Sequence, residues 1–330
     1  MSLLNDIAKK LVADNKGILA ADESLATIQK RFDKAGVENT QENRRIYREL
    51  LFTTPGVEEF ISGVIMYDET IRQHAGDGRS FVQVLNDKDI LPGIKVDKGK
   101  VPLAGFGSEE VTEGLDGLRE RLEEYSQLGA KFTKWRAVYT IGPGLPTKGA
   151  IHANCHALAR YAAFAQEAGL LPIVEPEVLM DGNHDIKQCS IVTALVLDEL
   201  FEELFINRVS LEGILLKPNM VISGKNAENK SSPEEIANLT LEVFKKSVPA
   251  DVPGIVFLSG GQSTTEATRN LCELNRNKKD CPWALSFSFG RALQDEVINT
   301  WRGNGDNWQK AQEVFYKTAK ADAEARRGIC

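Results

Sequence analysis

Short apolar segments alternate with longer amphipathic segments along this chain. The short segments predict eight β-strands, over Gly17–Ala21, Gly63–Tyr67, Gly93–Val96, Lys131–Tyr139, Leu171–Glu175, Gly213–Lys217, Gly254–Leu258 and Trp283–Phe287. The longer segments predict helices over Glu42–Phe52, Leu115–Leu128, Ala150–Ala168, Ile186–Phe205, Pro233–Lys246, Glu266–Leu274 and about Trp308–Ala325. Repeated strand–helix units favour an α/β fold with one (β/α)8 TIM barrel over residues 1–330, and a doubly wound open sheet is the main alternative.

Ionisable residues gather where the predicted strands end. A buried parallel strand should be almost wholly apolar, so a charge there needs a partner or a task. In a barrel the carboxyl ends of the strands form one face, where the active site belongs. Period-two alternation also puts Lys134 with Arg136, and Glu175 with Glu177, on common strand faces. The strand ends therefore predict a charged site built from Asp22, Lys95, Lys134, Arg136, Glu175, Glu177 and Lys217.

Two groups of residues are suited to binding phosphate. Ser259, Gly260 and Gly261 follow the seventh strand, and Gly290 with Arg291 follows the eighth. Glycines let backbone amides approach an anion, and loops seven and eight are the common phosphate site of barrels. Thr27 and Arg31 are four residues apart after the first strand, with Lys95 after the third, and these three residues predict a second cationic group. The pair of groups would fit a ligand with a phosphate at each end.

Lys217 is the candidate nucleophile. The segment EGILLKPN is an apolar strand that delivers this lysine just before Pro218 ends it. A free lysine has a pKa near 10.4 and attacks carbonyls poorly at neutral pH. Burial and a neighbouring cation such as Lys134 disfavour the ammonium form, so the amine becomes free to attack a ketone. The resulting imine would stabilise an adjacent carbanion and permit cleavage of a carbon–carbon bond.

Composition limits the partners and the compartment. The net charge is −7, and this acidic balance argues against general affinity for nucleic acid or for an anionic membrane. No apolar run is long enough to span a bilayer, and the amino-terminal segment has no secretory signal core. The five cysteines lie without a CxxC pair and in odd number, which predicts free thiols in a reducing compartment. We therefore expect a cytoplasmic protein.

Seven segments resemble the class I, Schiff-base fructose-bisphosphate aldolases, in order and in spacing, over nearly the whole chain. They are GILAADES (17–24), GIKVDKG (93–99), FTKWRAV (132–138), PIVEPEVL (172–179), EGILLKPNMV (212–221), FLSGGQS (257–263) and SFSFGRALQ (286–294). The resemblance implies reversible cleavage of fructose 1,6-bisphosphate to dihydroxyacetone phosphate and glyceraldehyde 3-phosphate. It implies no metal and no cofactor, and it implies a homotetramer.

The resemblance also implies roles for individual residues. Lys217 matches the imine-forming lysine, Glu175 the acid/base for water loss, and Asp22 the group that takes the C4-hydroxyl proton. Lys134 would support both carboxylates, with Glu177 and Arg136 as neighbours. The C1-phosphate residues would be Ser259, Gly260, Gly261, Gly290 and Arg291, and the C6-phosphate residues would be Thr27, Arg31 and Lys95.

The carboxyl terminus departs from the family pattern. Many animal and plant members end in a long tail with a terminal tyrosine that assists proton exchange at the enamine, whereas this sequence ends Arg327-Gly328-Ile329-Cys330. Either another group or water performs that step, or the sequence is truncated. A related aldolase that prefers fructose 1-phosphate or sedoheptulose 1,7-bisphosphate is therefore an alternative.

Two further alternatives come from other classes of protein. His152, Cys155 and His156 have a spacing that could put soft metal ligands on one helix face, as a metal-dependent aldolase would need; only His74 and His184 remain elsewhere. An amphipathic helix explains the same stretch. A catalytically silent barrel scaffold would be expected to lose Lys217 or its carboxylate neighbours, and all of them are present.

Overall fold

Eight parallel strands close into a barrel in this computed structural model, which describes residues 3–330. The order around the barrel is β1-β10-β9-β8-β7-β6-β3-β2, so a doubly wound open sheet is excluded. A short antiparallel ribbon, β4 with β5, lies outside the barrel. The strands are β1 Gly17–Ala21, β2 Ile61–Met66, β3 Leu91–Lys95, β4 Lys100–Pro102, β5 Glu110–Thr112, β6 Phe132–Tyr139, β7 Leu171–Val178, β8 Leu215–Leu216, β9 Gly254–Phe257 and β10 Ala284–Phe289.

Helices surround the barrel. They are α1 Leu3–Leu11, α2 Leu25–Ala35, α3 Gln41–Phe52, α4 Asp68–Ile71, α5 Phe81–Asp87, α6 Leu118–Gln127, α7 Lys148–Glu167, α8 Ile186–Ile206, α9 Pro233–Ser247, α10 Thr264–Asn277, α11 Arg291–Trp301 and α12 Trp308–Arg326. All eight predicted barrel strands and all seven predicted helices are present, with ends shifted by a few residues. The sequence did not predict α1, α2, α4, α5 and α11; of these, α4 and α5 are too short for a periodic pattern to emerge. No helix within residues 3–330 combines the length and apolarity needed to cross a membrane.

Helix α1 closes the amino end of the barrel. Its side chains Ile7, Ala8 and Leu11 pack with strand residues such as Phe132 in a separate buried apolar cluster. The packing is tight enough to require glycine in two strands. A Cβ at Gly63 would lie 2.5 Å from Leu11, and one at Gly93 would lie 2.3 Å from the Phe132 ring. The barrel therefore has a filled floor, and the charged site lies above it.

One cysteine prediction is wrong. Cys272 and Cys330 form a disulfide with a Cα–Cα distance of 5.9 Å, whereas Cys155, Cys189 and Cys281 are free. The partners are 58 residues apart in sequence and meet because the carboxyl-terminal residues lie against α10, where Arg276 Nε donates to the Gly328 carbonyl. The cysteine pattern therefore no longer supports a reducing compartment.

Asp322 is an isolated carboxyl group buried where α12 meets α10. Its Oδ1 lies 2.5 Å from the Thr268 hydroxyl, which also lies 2.9 Å from the Thr264 carbonyl oxygen. One hydroxyl proton satisfies only one of these acceptors, whereas a protonated Asp322 can itself donate to Thr268. Burial raises the pKa of Asp322 to about 7, although the Thr268 hydrogen bond partly opposes the shift. The neutral acid is therefore the favoured form in the fold.

Because the folded pKa of Asp322 lies above its unfolded value, its stabilising contribution is present at low pH and is lost as pH rises through about 7. Asp322→Asn mimics the neutral acid and should escape this loss. We expect the stability of the variant relative to the unaltered protein to increase by about 2 kcal/mol between about pH 5 and about pH 7. Urea unfolding at several pH values measures the difference. Asp251→Asn, at an exposed position, is the control. If the free energy of unfolding of Asp322→Asn changes with pH in parallel with that of the unaltered protein, Asp322 does not cause the loss.

Candidate active site

A cavity of about 790 Å³ opens at the carboxyl ends of the barrel strands. Almost all of the predicted site residues line it, although they come from eight separate parts of the chain. Gly261 is the exception, but a Cβ there would lie 3.6 Å from Arg291 Nη2, so it borders the same loops. The predicted residues in the lining are Asp22, Thr27, Arg31, Lys95, Lys134, Arg136, Glu175, Glu177, Lys217, Ser259, Gly260, Gly290 and Arg291.

Lys134 is the centre of a buried charge cluster. Its Nζ lies 2.6 Å from Asp22 Oδ2 and 3.1 Å from Glu175 Oε2. The other oxygen of Glu175 lies 3.3 Å from Lys217 Nζ. Both lysine residues are only 3% exposed, and Glu175 is 4% exposed. Glu175 therefore links the two amines, Lys134 through Oε2 and Lys217 through Oε1.

The strand register explains how these side chains meet. In the pairing of β6 with β7, Arg136 lies opposite Glu175, and Lys134 precedes it by two residues on the same face. The neighbouring β8 ends at Leu216, and the Lys217 amide donates to the Val174 carbonyl at 2.8 Å. The charges are thus carried by backbone that the barrel holds fixed.

Electrostatics keeps the cluster ionised. Burial alone would raise the pKa of Asp22, but the ammonium groups of Lys134 and Lys217 outweigh it and hold that pKa well below its usual range. The pKa of Glu175 is lowered as well, because Lys134, Lys217 and Arg136 overcome its burial. Burial would lower the pKa of Lys134, yet Asp22 and Glu175 raise it. Both carboxylates can therefore accept protons at neutral pH.

Arg136 extends the cluster toward the mouth of the cavity. Its Nε donates to Glu177 Oε2 at 2.5 Å, and its backbone amide donates to Asp97 Oδ2 at 3.3 Å. Asp97 also pairs with Lys95 at 2.5 Å. Burial alone would lower the pKa of the Arg136 guanidinium. The nearby carboxylate of Glu177 outweighs burial, so the pKa lies above its usual value.

Loops seven and eight have the geometry of an anion site. Gly260 and Gly261 have φ values of +41° and +81°, a left-handed conformation that side chains disfavour. The loop leads into α10, which Ser263 caps, and α11 begins at Arg291. No acidic side chain within residues 3–330 pairs with Arg291. This guanidinium is therefore available to a ligand.

The first-strand side holds a network that the sequence did not predict. Thr27 and Arg31 both lie on α2, and Arg31 pairs with Glu23. The other oxygen of Glu23 accepts from Arg48 at 2.5 Å, and Gln294 Nε2 donates to Glu23 at 2.9 Å. The sequence signals were the presence of Glu23 in GILAADES and of Gln294 in SFSFGRALQ, whereas Arg48 is on a remote helix outside the quoted segments.

Arg31 also lies close to loop eight, because a Cβ at Gly290 would lie 3.7 Å from Arg31 Nη2. Ser288, at the end of β10, was not selected from the sequence either. Its hydroxyl lines the cavity, is buried, and has no hydrogen-bond partner within residues 3–330. Arg31 therefore lies beside loop eight, and Ser288 adds a hydroxyl without a hydrogen-bond partner among residues 3–330 to the cavity wall.

The alternative of soft metal ligands on one helix face, at His152, Cys155 and His156, does not form. Cys155 is fully buried, and its thiol lies 3.3 Å from the Tyr139 hydroxyl, whereas His152 and His156 lie on the outer side of α7. Around the helix axis Cys155 lies about 60° from His152 and about 100° from His156, and its thiol faces Tyr139 of β6 while the two histidines face outward. A metal-dependent aldolase site from these three residues is therefore excluded.

A closed barrel with a buried lysine amine, paired carboxylates and cation-bearing loops defines the class of imine-forming barrel enzymes. Residues 3–329 match the family model described as fructose-bisphosphate aldolase class-I. The chain is 54% identical over 326 residues to a probable fructose-bisphosphate aldolase class 1 of Xanthomonas campestris, covering 98% of this chain and 97% of the relative. It is 52% identical to the cytosolic fructose-bisphosphate aldolase 6 of Arabidopsis thaliana, covering 99% and 93%.

A solved structure is equally similar. Fructose-bisphosphate aldolase from Plasmodium falciparum, crystallised with TRAP and a small-molecule inhibitor, superposes with a TM-score of 0.97 at 49% identity, covering 99% of this chain and 94% of that one. The chain therefore belongs to the class I fructose-bisphosphate aldolase family and is a lyase.

Proposed function

We propose that Lys217 forms the imine through which this aldolase reversibly cleaves fructose 1,6-bisphosphate to dihydroxyacetone phosphate and glyceraldehyde 3-phosphate. The observation that carries this assignment is a buried amine 3.3 Å from Glu175, within a cluster that also contains Asp22 and Lys134. Nucleophilic catalysis needs such an amine together with a nearby acid/base. The substrates are therefore phosphorylated ketoses and triose phosphates.

The residues divide the chemistry as follows. Glu175 first takes a proton from the Lys217 ammonium group, and the free amine then adds to the C2 ketone; Glu175 returns this proton to the hydroxyl that leaves the carbinolamine as water. The protonated imine withdraws electrons while Asp22 takes the C4-hydroxyl proton, so the C3–C4 bond breaks and glyceraldehyde 3-phosphate leaves. The C3 carbon of the enamine is then protonated, and hydrolysis returns the amine. Lys134 holds Asp22 and Glu175 ionised, with Arg136 and Glu177 as neighbours.

The two phosphates have separate sites in this proposal. Ser259, Gly260, Gly261, Gly290 and Arg291 bind the C1-phosphate, supported by the free guanidinium and the left-handed glycines. Thr27, Arg31 and Lys95 bind the C6-phosphate. We propose that the reaction uses no cofactor and no metal ion, because the imine itself polarises the substrate carbon.

The two sites can be separated with fructose 1-phosphate, which lacks the C6-phosphate. Lys95→Gln should lower kcat/KM for fructose 1,6-bisphosphate by about 10-fold or more and change fructose 1-phosphate little, since a charged hydrogen bond contributes about 1.5–3 kcal/mol. Arg291→Ala should lower both by similar factors. Steady-state kinetics with both ketoses measures this, with Lys100→Gln as a control at the exposed edge of the cavity. Equal losses on both substrates in Lys95→Gln would refute the C6 assignment.

We further propose a cytoplasmic homotetramer in which residues 1–330 act as one barrel domain. Relatives named cytosolic or cytoplasmic support the compartment. Helix α8 exposes Ile191, Leu195, Phe205 and Ile206, with Phe205 82% exposed. An apolar surface of this kind on an outer helix supports contact with another subunit.

A further inference from the structure

Two neighbouring helices bring four metal-binding side chains together outside the barrel. His152 and His156 are four residues apart on α7, and Glu199 and Glu203 are four residues apart on α8, so each pair projects from one side of its helix. His152 Nδ1 lies 2.7 Å from Glu199 Oε1 and 3.3 Å from Glu203 Oε1. His156 Nδ1 lies 2.9 Å from Glu203 Oε2. We call these four residues the α7–α8 cluster.

Glu203 makes this cluster unlike a solvated surface pair. Its side chain is only 5% exposed. Its partners within residues 3–330 are the two histidines and the Nδ2 group of Asn207 at 3.2 Å, with no lysine or arginine among them. A buried carboxylate is costly unless a cation compensates it. The cluster therefore has a buried negative charge and lacks a permanent positive one.

The arrangement of donor atoms matches a small metal ion. One ligand atom from each of His152, Glu199 and Glu203 lies within 4.8 Å of the others. Zinc bound at about 2.0–2.2 Å with tetrahedral angles separates its ligand atoms by roughly 3.3 Å, close to the distances in the cluster.

We propose that the α7–α8 cluster binds one divalent transition-metal ion, with Zn²⁺ as the occupant. Imidazole and carboxylate together suit zinc. His152, Glu199 and Glu203 are the primary ligands, and His156 completes the shell or orients Glu203. The ion would join α7 to α8. It would play no part in catalysis, because none of the four residues lines the cavity that holds Lys217.

The test titrates metal-stripped full-length protein with Zn²⁺ alone, by calorimetry and by equilibrium dialysis. One ion per chain should bind, and the melting temperature should rise with it. His152→Ala and Glu199→Gln should each weaken binding by about 10-fold or more. His152 is 59% exposed, so its replacement should leave the fold intact, which circular dichroism checks. His74→Ala and Cys281→Ser are controls, because both residues lie outside the cluster.

Three results would overturn the proposal; the first two leave the imine assignment untouched, whereas the third would also contradict the metal-free mechanism. One is the absence of saturable binding below about 100 µM Zn²⁺. Another is full binding that persists in His152→Ala and in His156→Ala. The third is loss of aldolase activity on exhaustive chelation, which would place the ion in the cavity. Full activity after chelation, together with loss of the bound ion, is the expected outcome.

Discussion

Lys217→Met will lower aldolase activity by about 10³-fold or more, since removal of a nucleophile eliminates the covalent route. The methionine side chain fills similar space but has no amine, so borohydride reduction with dihydroxyacetone phosphate should leave no adduct. In the unaltered protein the same treatment should label Lys217. Peptide mapping by mass spectrometry locates the adduct, and steady-state assays measure the loss.

Lys131→Met is the matched control, because Lys131 is an exposed lysine just before β6. This variant should keep both activity and labelling. Circular dichroism of Lys217→Met separates lost chemistry from lost fold. Borohydride trapping that persists in Lys217→Met would assign the imine to another amine and refute the proposed mechanism.

Lys134→Met will impair both catalysis and stability. Lys134 is the strongest of the cations that lower the pKa of Asp22 and of Glu175, so both pKa values should rise in the variant. The acid limb of the kcat/KM profile should move to higher pH, with kcat/KM at neutral pH lower by about 10²-fold or more.

The same substitution should lower stability. Carboxylates whose pKa values are lowered in the fold stabilise it above their unfolded pKa values, and they lose that effect as pH falls through their folded pKa values. Without Lys134 the free energy of unfolding near neutral pH should fall by about 3–5 kcal/mol.

Lys88→Met provides the comparison for this variant. Lys88 pairs with Glu58 at 2.7 Å at a partly exposed position, and the loss of such a pair costs at most about 1 kcal/mol. Its pH profile should match that of the unaltered protein. The pH dependence of kcat/KM and urea unfolding measure both effects. An acid limb that stays in place in Lys134→Met would mean that Lys134 does not control the carboxylates.

The barrel was predictable because each strand is a short apolar run, and most of these runs have a charge at the carboxyl end. The same rule identified Lys134, Glu175 and Lys217, since period-two alternation fixes which side chains share a face. Strand patterning alone did not predict the contact of Lys134 with Asp22, because β1 and β6 are not neighbours in the barrel; only the family resemblance implied it. These side chains meet because the eight strands close into a barrel.

Other features depended on helix packing, which leaves no local signal. Arg48 and Gln294 reach Glu23 from α3 and α11; Gln294 ends the quoted segment SFSFGRALQ, but periodicity distinguishes neither residue from an ordinary polar position. The disulfide between Cys272 and Cys330 arises in the same way. The sequence pattern assigns Glu203 to the polar face of α8. Its contact with His156 arises only because α7 packs beside α8. Long-range pairs of this kind follow from the fold and not from spacing.

The filled floor of the barrel limits how the enzyme can be re-engineered. With Leu11 and Phe132 already touching the backbone at Gly63 and Gly93, no spare volume lies beneath the charged cluster. Enlarging the sugar pocket from below would open voids that weaken packing. New substrate preferences should therefore be sought at the rim, in the loops around Ser259 and Arg291, where side chains can change without disturbing the layer that supports the reactive amine.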